Sequence, residues 1–243
     1  MARADAVNKH YRDRAVVLRT IPLGEADRIV TLMTENHGRV RAVAKGIRRT
    51  TSKFGSRLEP TTHVSLQLYL GRELDTITQA ETIAHMTNVR DDLHRFGRAN
   101  VMLETVDQVA LEREPNHALY RMLAGALGEL DRDDAPLVLA GFLLKLLALE
   151  GFQPQIDVCV ACGSASNLVA FDVDDGGLRC IDDRRGVAVD PEAIFLMRSI
   201  LGGELAAALR EPASASTAEV EAIAIGLVEH HIERRLRAAR TRL

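Results

Sequence analysis

Hydrophobic and polar positions alternate with a period of two through roughly the first eighty residues, and then the period changes. Residues 14–20 (RAVVLRT) form a β-rich run that Pro22-Leu23-Gly24 is expected to break. Residues 28–34 (RIVTLMT) form a second run, closed by a turn at Glu35-Asn36-His37-Gly38. Residues 39–45 then place Val40, Ala42 and Ala44 on one face and Arg39, Arg41, Val43 and Lys45 on the other. Residues 63–70 (HVSLQLYL) turn Val64, Leu66, Leu68 and Leu70 inward, and residues 74–80 complete the set after Gly71-Arg72. Five short strands in this length predict a small closed barrel, of which the OB-fold is the commonest nucleic-acid-binding version.

From about residue 85 the spacing becomes helical. Leu119, Met122, Leu123, Ala126, Leu127 and Leu130 make one amphipathic stripe. Pro136 suits the first turn of the next helix and Gly151 its end; this helix is apolar nearly all round and is expected to be central and buried. Asp190-Pro191 reads as N-cap and first helical residue. Ser216 and Glu219 read as a capping box for a last helix running towards Leu243. The fold class is therefore α+β multidomain: a five-stranded OB-fold barrel over residues 1–82, then a helical domain over residues 83–243 with a zinc-ribbon-like insert at about residues 157–190.

The net charge of −3 conceals a division. Residues 1–80 hold 14 Lys and Arg against 8 Asp and Glu, a balance of +6, while the remainder holds 17 against 26, a balance of −9. The cations concentrate in one run, Arg39, Arg41, Lys45, Arg48, Arg49, Lys53 and Arg57, with no acid from residue 36 through 58. Such a face gains affinity for a polyphosphate by releasing condensed counterions, whereas the bland alternative is a loop kept soluble by charge. Tyr11, Phe54 and Tyr69 are the few aromatics of this region, so binding is expected to lean on phosphates and to tolerate any sequence. A second basic cluster, Arg234, Arg235, Arg237, Arg240 and Arg242, reads equally as a DNA contact or as a complement to a helix dipole.

The three cysteines of the chain lie together, as Cys159-Val160-Ala161-Cys162 and, 17 residues later, Cys180-Ile181-Asp182-Asp183. This is the spacing of a zinc ribbon with aspartate in the last position. Asp183 is the expected fourth ligand and Asp182 a less well-spaced one; a carboxylate is harder than a thiolate, so zinc is expected to be held more weakly. A ribbon held by packing without metal, or a redox-active cysteine pair, are the alternatives. No phosphate-cradling, dinucleotide-binding, zinc-protease or nucleophile-elbow motif occurs, so no enzyme is expected. No export signal is apparent, and the longest apolar run, residues 135–149, is too short for a bilayer and carries Lys145, so the expected setting is cytoplasmic, at the nucleoid.

Several segments together resemble the bacterial RecO family of DNA repair proteins. They are Ala15-Val16-Val17-Leu18-Arg19 followed by Gly24-Glu25-Ala26-Asp27, then Leu32-Met33-Thr34 with Gly38, Ala44-Lys45-Gly46, Ser52-Lys53 and Leu58-Glu59-Pro60. Gly151-Phe152-Gln153-Pro154 ahead of Cys159, and Gly176-Gly177 ahead of Cys180, continue the series. The resemblance implies an N-terminal OB-fold and a helical C-terminal domain. It implies binding of single- and double-stranded DNA, annealing of complementary strands, and action with RecR and single-stranded DNA-binding protein to help RecA load. The implied DNA contacts are the cations from Arg39 to Arg57. Members have a four-cysteine zinc site, from which Asp183 departs. The alternative is a zinc-ribbon regulator of DNA or RNA that reads a specific site.

Overall fold

Alternation of small or branched apolar residues with polar ones gives strands that close on themselves when one face has a core to fill. In the computed structural model, which describes residues 9–49, 52 and 54–240, the strands are β1 (His10–Leu23), β2 (Asp27–Thr34), β3 (Arg39–Ala44), β4 (His63–Tyr69) and β5 (Asp75–Ala84). They form a closed barrel in the order β1-β2-β3-β5-β4, with β3 and β5 paired in parallel and all other pairs antiparallel. This is the expected OB-type barrel. Its core is filled by Ala15, Val17, Val30, Leu32, Val40, Ala42, Ala44, Val64, Leu66, Leu68 and Ile77. The β3–β4 connection adds Phe54 and Leu58, 1% and 0% exposed, around a 3-10 turn at Gly55–Leu58.

Strand ends differ from expectation most at β1 and at β5, which runs on to Ala84. β1 is longer at both ends, and Pro22 lies inside it, paired with Arg28 close to the hairpin turn. Proline is tolerated there because the ladder is ending and needs no further donor from that residue. The β2–β3 turn uses Gly38 at φ +64°, and a Cβ on Gly38 would lie 2.0 Å from the Glu114 carbonyl oxygen. Gly38→Ala is therefore expected to lower stability by about 2 kcal/mol, through left-handed strain and forced displacement of Glu114. A urea midpoint unchanged from wild type would contradict this.

The helices are α1 (Thr87–Asp91), α2 (Leu93–Val109), α3 (His117–Arg132), α4 (Val138–Leu149), α5 (Pro191–Leu201), α6 (Leu205–Ala208), α7 (Ala215–His231) and α8 (Arg237–Arg240). The chain divides into two compact units: one ends at Thr87 and also takes in Val106–Ala124, the other comprises Asn88–Thr105 and Gly125 onward. Within the first unit, residues 111–113 extend the barrel's hydrogen bonding: Arg39 donates its amide to Leu111 and accepts from Arg113. His63 and Tyr120 meet at 2.7 Å, and burial lowers the His63 pKa while pushing Tyr120 up to about 12.

In the second unit α4 packs against α5 and α7, and most of its surface is buried, as its all-round apolar sequence predicts. Asp190 caps α5, with Pro191 in its first turn. The cap of α7 is Ser214 with Thr217, not Ser216 with Glu219. Ser216 instead donates to Glu192, and Glu219 accepts from the Asp190 amide, so both are engaged by α5's N-terminus. Nor does the last helix run to the end of the described chain. α7 stops at His231, Glu233 adopts φ +51°, and Glu229 folds back to accept from the Leu236 amide. Glu104 then accepts from the Arg237 and Ala238 amides, satisfying the first turn of α8.

Candidate nucleic-acid interface and cysteine cluster

Alternation along β3 does set Arg39 and Arg41 on the outer face of the barrel, but their fates diverge. The Arg39 guanidinium donates to the backbone carbonyl of Asp107 and lies 3.4 Å from its carboxylate, which also accepts from Arg19 at 2.6 Å. Arg39 is thus engaged within its own unit. Arg41 is half-buried, with its Nε enclosed and without a hydrogen-bond partner. Lys45, Arg48, Arg49 and Arg57 are exposed. Lys53 lies outside the described residues, as does Arg242 of the C-terminal cluster.

The basic loop is held in place from below. Asp27 accepts from the Gly46 amide at 2.7 Å, the Arg48 amide donates to the Ala26 carbonyl, and Arg48 Nη1 reaches the Gly24 carbonyl at 3.2 Å. These bonds fix the segment after β3 against the β1–β2 turn. Arg57 Nη1 reaches the Phe54 carbonyl, and Phe54 itself is buried, so it offers no stacking surface. Among the described residues, Arg41, Lys45, Arg48 and Arg49 form no ion pair, whereas Arg14, Arg19, Arg28 and Arg39 each have a carboxylate partner. Unpaired cations on a fixed support are what a phosphate backbone can use.

In the second unit, hairpin β6 (Leu168–Asp172) and β7 (Gly177–Cys180) is joined by the short β8 (Val187–Ala188) in the order β7-β6-β8. Asp172 holds the hairpin turn by accepting from the Asp174 and Asp175 amides and from Arg179. The Cys159–Cys162 turn is stitched to β7 by the Val160 amide bonded to Leu178, and is closed by Gly163 bonded to Cys159. The ligand atoms of Cys159, Cys162, Cys180 and Asp183 all lie within 4.8 Å of one another. Asp182 does not belong to this group.

Bonds of about 2.3 Å to sulfur and about 2.0 Å to oxygen make tetrahedral edges of about 3.8 Å between sulfurs and about 3.5 Å between sulfur and oxygen. The Cys162–Cys180 sulfurs are 3.7 Å apart, and Asp183 Oδ2 lies 3.5 Å from Cys180 and 3.8 Å from Cys159. The donor set fits a small tetrahedral cation. Electrostatics agree. The Asp183 carboxylate pushes the Cys162 thiol up to about 12, and that contact with Cys162, followed by Cys180, holds Asp183 below the usual carboxylate range. Burial works to raise Cys159, but the backbone amides of Cys162, Cys180 and Ala161 bring it down to about 7. Crowded acidic groups of this kind are relieved by a bound cation.

One unit of the chain is thus an OB-type barrel with a pinned basic loop, and the other carries a Cys-Cys-Cys-Asp cluster, an architecture that the comparisons with known proteins assign to a family. The family model for the N-terminal domain of recombination protein O matches residues 9–86, and that for its C-terminal domain matches residues 90–240. DNA repair protein RecO of Frankia casuarinae is 45% identical over 234 residues, covering 94% of this chain and 96% of that protein. The RecO proteins of a Nocardioides species and of Bifidobacterium adolescentis are 45% and 42% identical, over 94% and 95% of this chain and 97% and 98% of theirs. The chain belongs to the RecO family of DNA repair proteins. Among the described residues no helix is long and apolar enough to cross a membrane.

Proposed function

We propose that this chain is a non-enzymatic mediator of recombinational repair that binds single- and double-stranded DNA and anneals complementary strands. It works at the nucleoid in the cytoplasm with RecR and single-stranded DNA-binding protein, and helps RecA load. The observation that carries the reading is the set of unpaired cations, Arg41 on β3 and Lys45, Arg48 and Arg49 on the loop anchored by Asp27. Two strands repel each other; a cationic surface lowers the cost of their approach while leaving base edges free to pair. The paucity of stacking aromatics on the loop suits annealing, because stacked bases would have to be released. Cys159, Cys162, Cys180 and Asp183 hold zinc as a structural clasp, which supplies folding energy and no chemistry to DNA.

The test is salt dependence. With Arg39 engaged by Asp107, six cations of the run remain, and the log-affinity for a single strand should fall with log-salt at a slope of about −4. Replacing Lys45, Arg48 and Arg49 together by alanine should reduce that slope by about 2 and slow annealing at moderate salt by about tenfold or more. Unchanged slope and annealing in a folded variant would overturn the assignment. Strong preference for one DNA sequence would favour a site-reading regulator instead.

A further inference from the structure

The closed order β1-β2-β3-β5-β4 separates the pair β1–β4 from β3, by β2 on one side and β5 on the other. On the outer face of β1–β4 lies a cluster that the Arg39–Arg57 run does not include. His10 pairs directly with Tyr69 across the two strands, and their rings meet edge-to-face at a centroid distance of 5.0 Å. Lys9 Nζ stands over the Tyr69 ring, 6.0 Å from its centre, and the Lys9 carbonyl accepts from the Leu70 amide. One pleat on, Arg12 pairs with Gln67, and Gln67 in turn with Gln79 of β5. Lys9, His10, Arg12, Tyr69 and Gln79 are all exposed, and Tyr69 retains 39% of its surface.

Two of the acids near this face, Asp13 and Asp75, are directed elsewhere, while Glu81, opposite Ser65 and two residues beyond Gln79 on β5, is exposed and bounds the cationic end of the face. Asp13 is buried and bonded to His37 and Asn36, and Asp75 is buried against Tyr11 and Arg113. Among the described residues neither Lys9 nor Arg12 has an ion-pair partner; Arg72 and Glu73, of opposite charge, are both exposed in the β4–β5 turn.

We infer that this face, centred on Tyr69, is a second binding site for a single nucleic-acid strand, separate from the basic loop after β3. The chemistry is complementary. Tyr69 and His10 present an aromatic surface to the flat face of a base, which leaves its edge free, and Lys9 and Arg12 lie where the adjoining phosphates would run. A mostly polar face with one exposed aromatic pair and unpaired cations fits a nucleic-acid strand better than an apolar protein partner, since Leu70 is its sole large exposed aliphatic among these residues. The inference rests on the proposed annealing function and deepens it: one barrel then holds two strands at once, each on its own cationic face.

The experiment uses the full chain, two non-complementary oligothymidylates carrying donor and acceptor dyes, and a third carrying 5-iodouracil for photocrosslinking. Wild-type protein is expected to give energy transfer between the dyes and crosslinks at Tyr69 or His10 as well as in the basic loop. Tyr69→Ala should weaken the second binding event by about tenfold and abolish that crosslink, while Tyr69→Phe, which keeps the stacking surface, should restore binding. Replacing Lys9 and Arg12 by alanine should reduce the salt slope of the second event by about 1.4. Crosslinks confined to the basic loop, with co-binding unchanged in Tyr69→Ala, would overturn the second site and leave the proposed function standing. Absence of any strand binding by the wild-type chain would overturn both.

Discussion

Replacing Asp75 by alanine is expected to cost the first unit about 3 kcal/mol of stability. The Asp75 side chain is fully buried and accepts from the Tyr11 hydroxyl, from Arg113 at 2.8 Å and from the Gly71 amide at 2.9 Å. Truncation leaves all three donors without their acceptor. Breaking a wholly buried ion pair costs roughly 3–5 kcal/mol; Arg113 is 35% exposed, so water takes part of the load and the lower figure applies. Asp75→Asn keeps the shape and the smaller hydrogen bonds but not the charge, and should lose about half as much.

The same carboxylate predicts a pH dependence. Burial works to raise the Asp75 pKa, and hydrogen bonds from Arg113, Tyr11 and Gly71 outweigh it, so the folded value lies below the ordinary one. A depressed folded pKa means that the unfolded chain takes up the proton first as pH falls. The contribution is therefore complete above the unfolded value, about 3.9, and is lost as pH drops below it through the folded value. Urea unfolding of wild type and Asp75→Asn should differ by a constant amount from pH 7 to about 5 and converge below about 4. Equal midpoints at pH 7, or a gap that does not close in acid, would refute the role given to Asp75.

What could be read in the sequence follows from the range of each interaction. Period-two alternation is local, so all five barrel strands and the inward set Val40, Ala42 and Ala44 were visible. So was the all-round apolar pattern of α4. The capture of Arg39 by Asp107 was not, because the partner lies 68 residues away and nothing in the strand distinguishes Arg39 from Arg41. Phe54 looked like a loop aromatic, yet it fills the barrel, because Phe54 and Leu58 flank a 3-10 turn too short for its period to show. The choice between Ser214 and Ser216 was likewise tertiary: only the approach of Glu192 explains why the second serine faces away from its own helix. The Tyr69 face went unrecognised since His10 and Tyr69 are neighbours only through the β1–β4 pairing. The cysteine cluster is legible because ligand spacing is a local signature; the same spacing favours Asp183 over Asp182, and the turn after β7 bears out that choice by bringing the Asp183 carboxylate into the group.

That choice sets the second large effect. The chain is expected to purify with one zinc ion, held by Cys159, Cys162, Cys180 and Asp183. Asp183→Ala removes the only oxygen donor and should weaken zinc retention by more than the roughly 10- to 100-fold that loss of an outer-sphere partner costs. Because the site forms only in the folded chain, lost metal affinity is lost stability, so the second unit should melt earlier, by an amount set by free zinc relative to its dissociation constant. Asp183→Cys should act in the opposite direction, since thiolate is the softer ligand. A chelator should lower the melting temperature of wild type and leave that of Asp183→Ala nearly unchanged. DNA affinity, measured well below either transition, should stay within about twofold of wild type in both variants, since the proposed DNA contacts belong to the other unit. Protein that carries no zinc, and melts alike with zinc or chelator, would show that the ribbon is held by packing and by Asp172 with Arg179 alone.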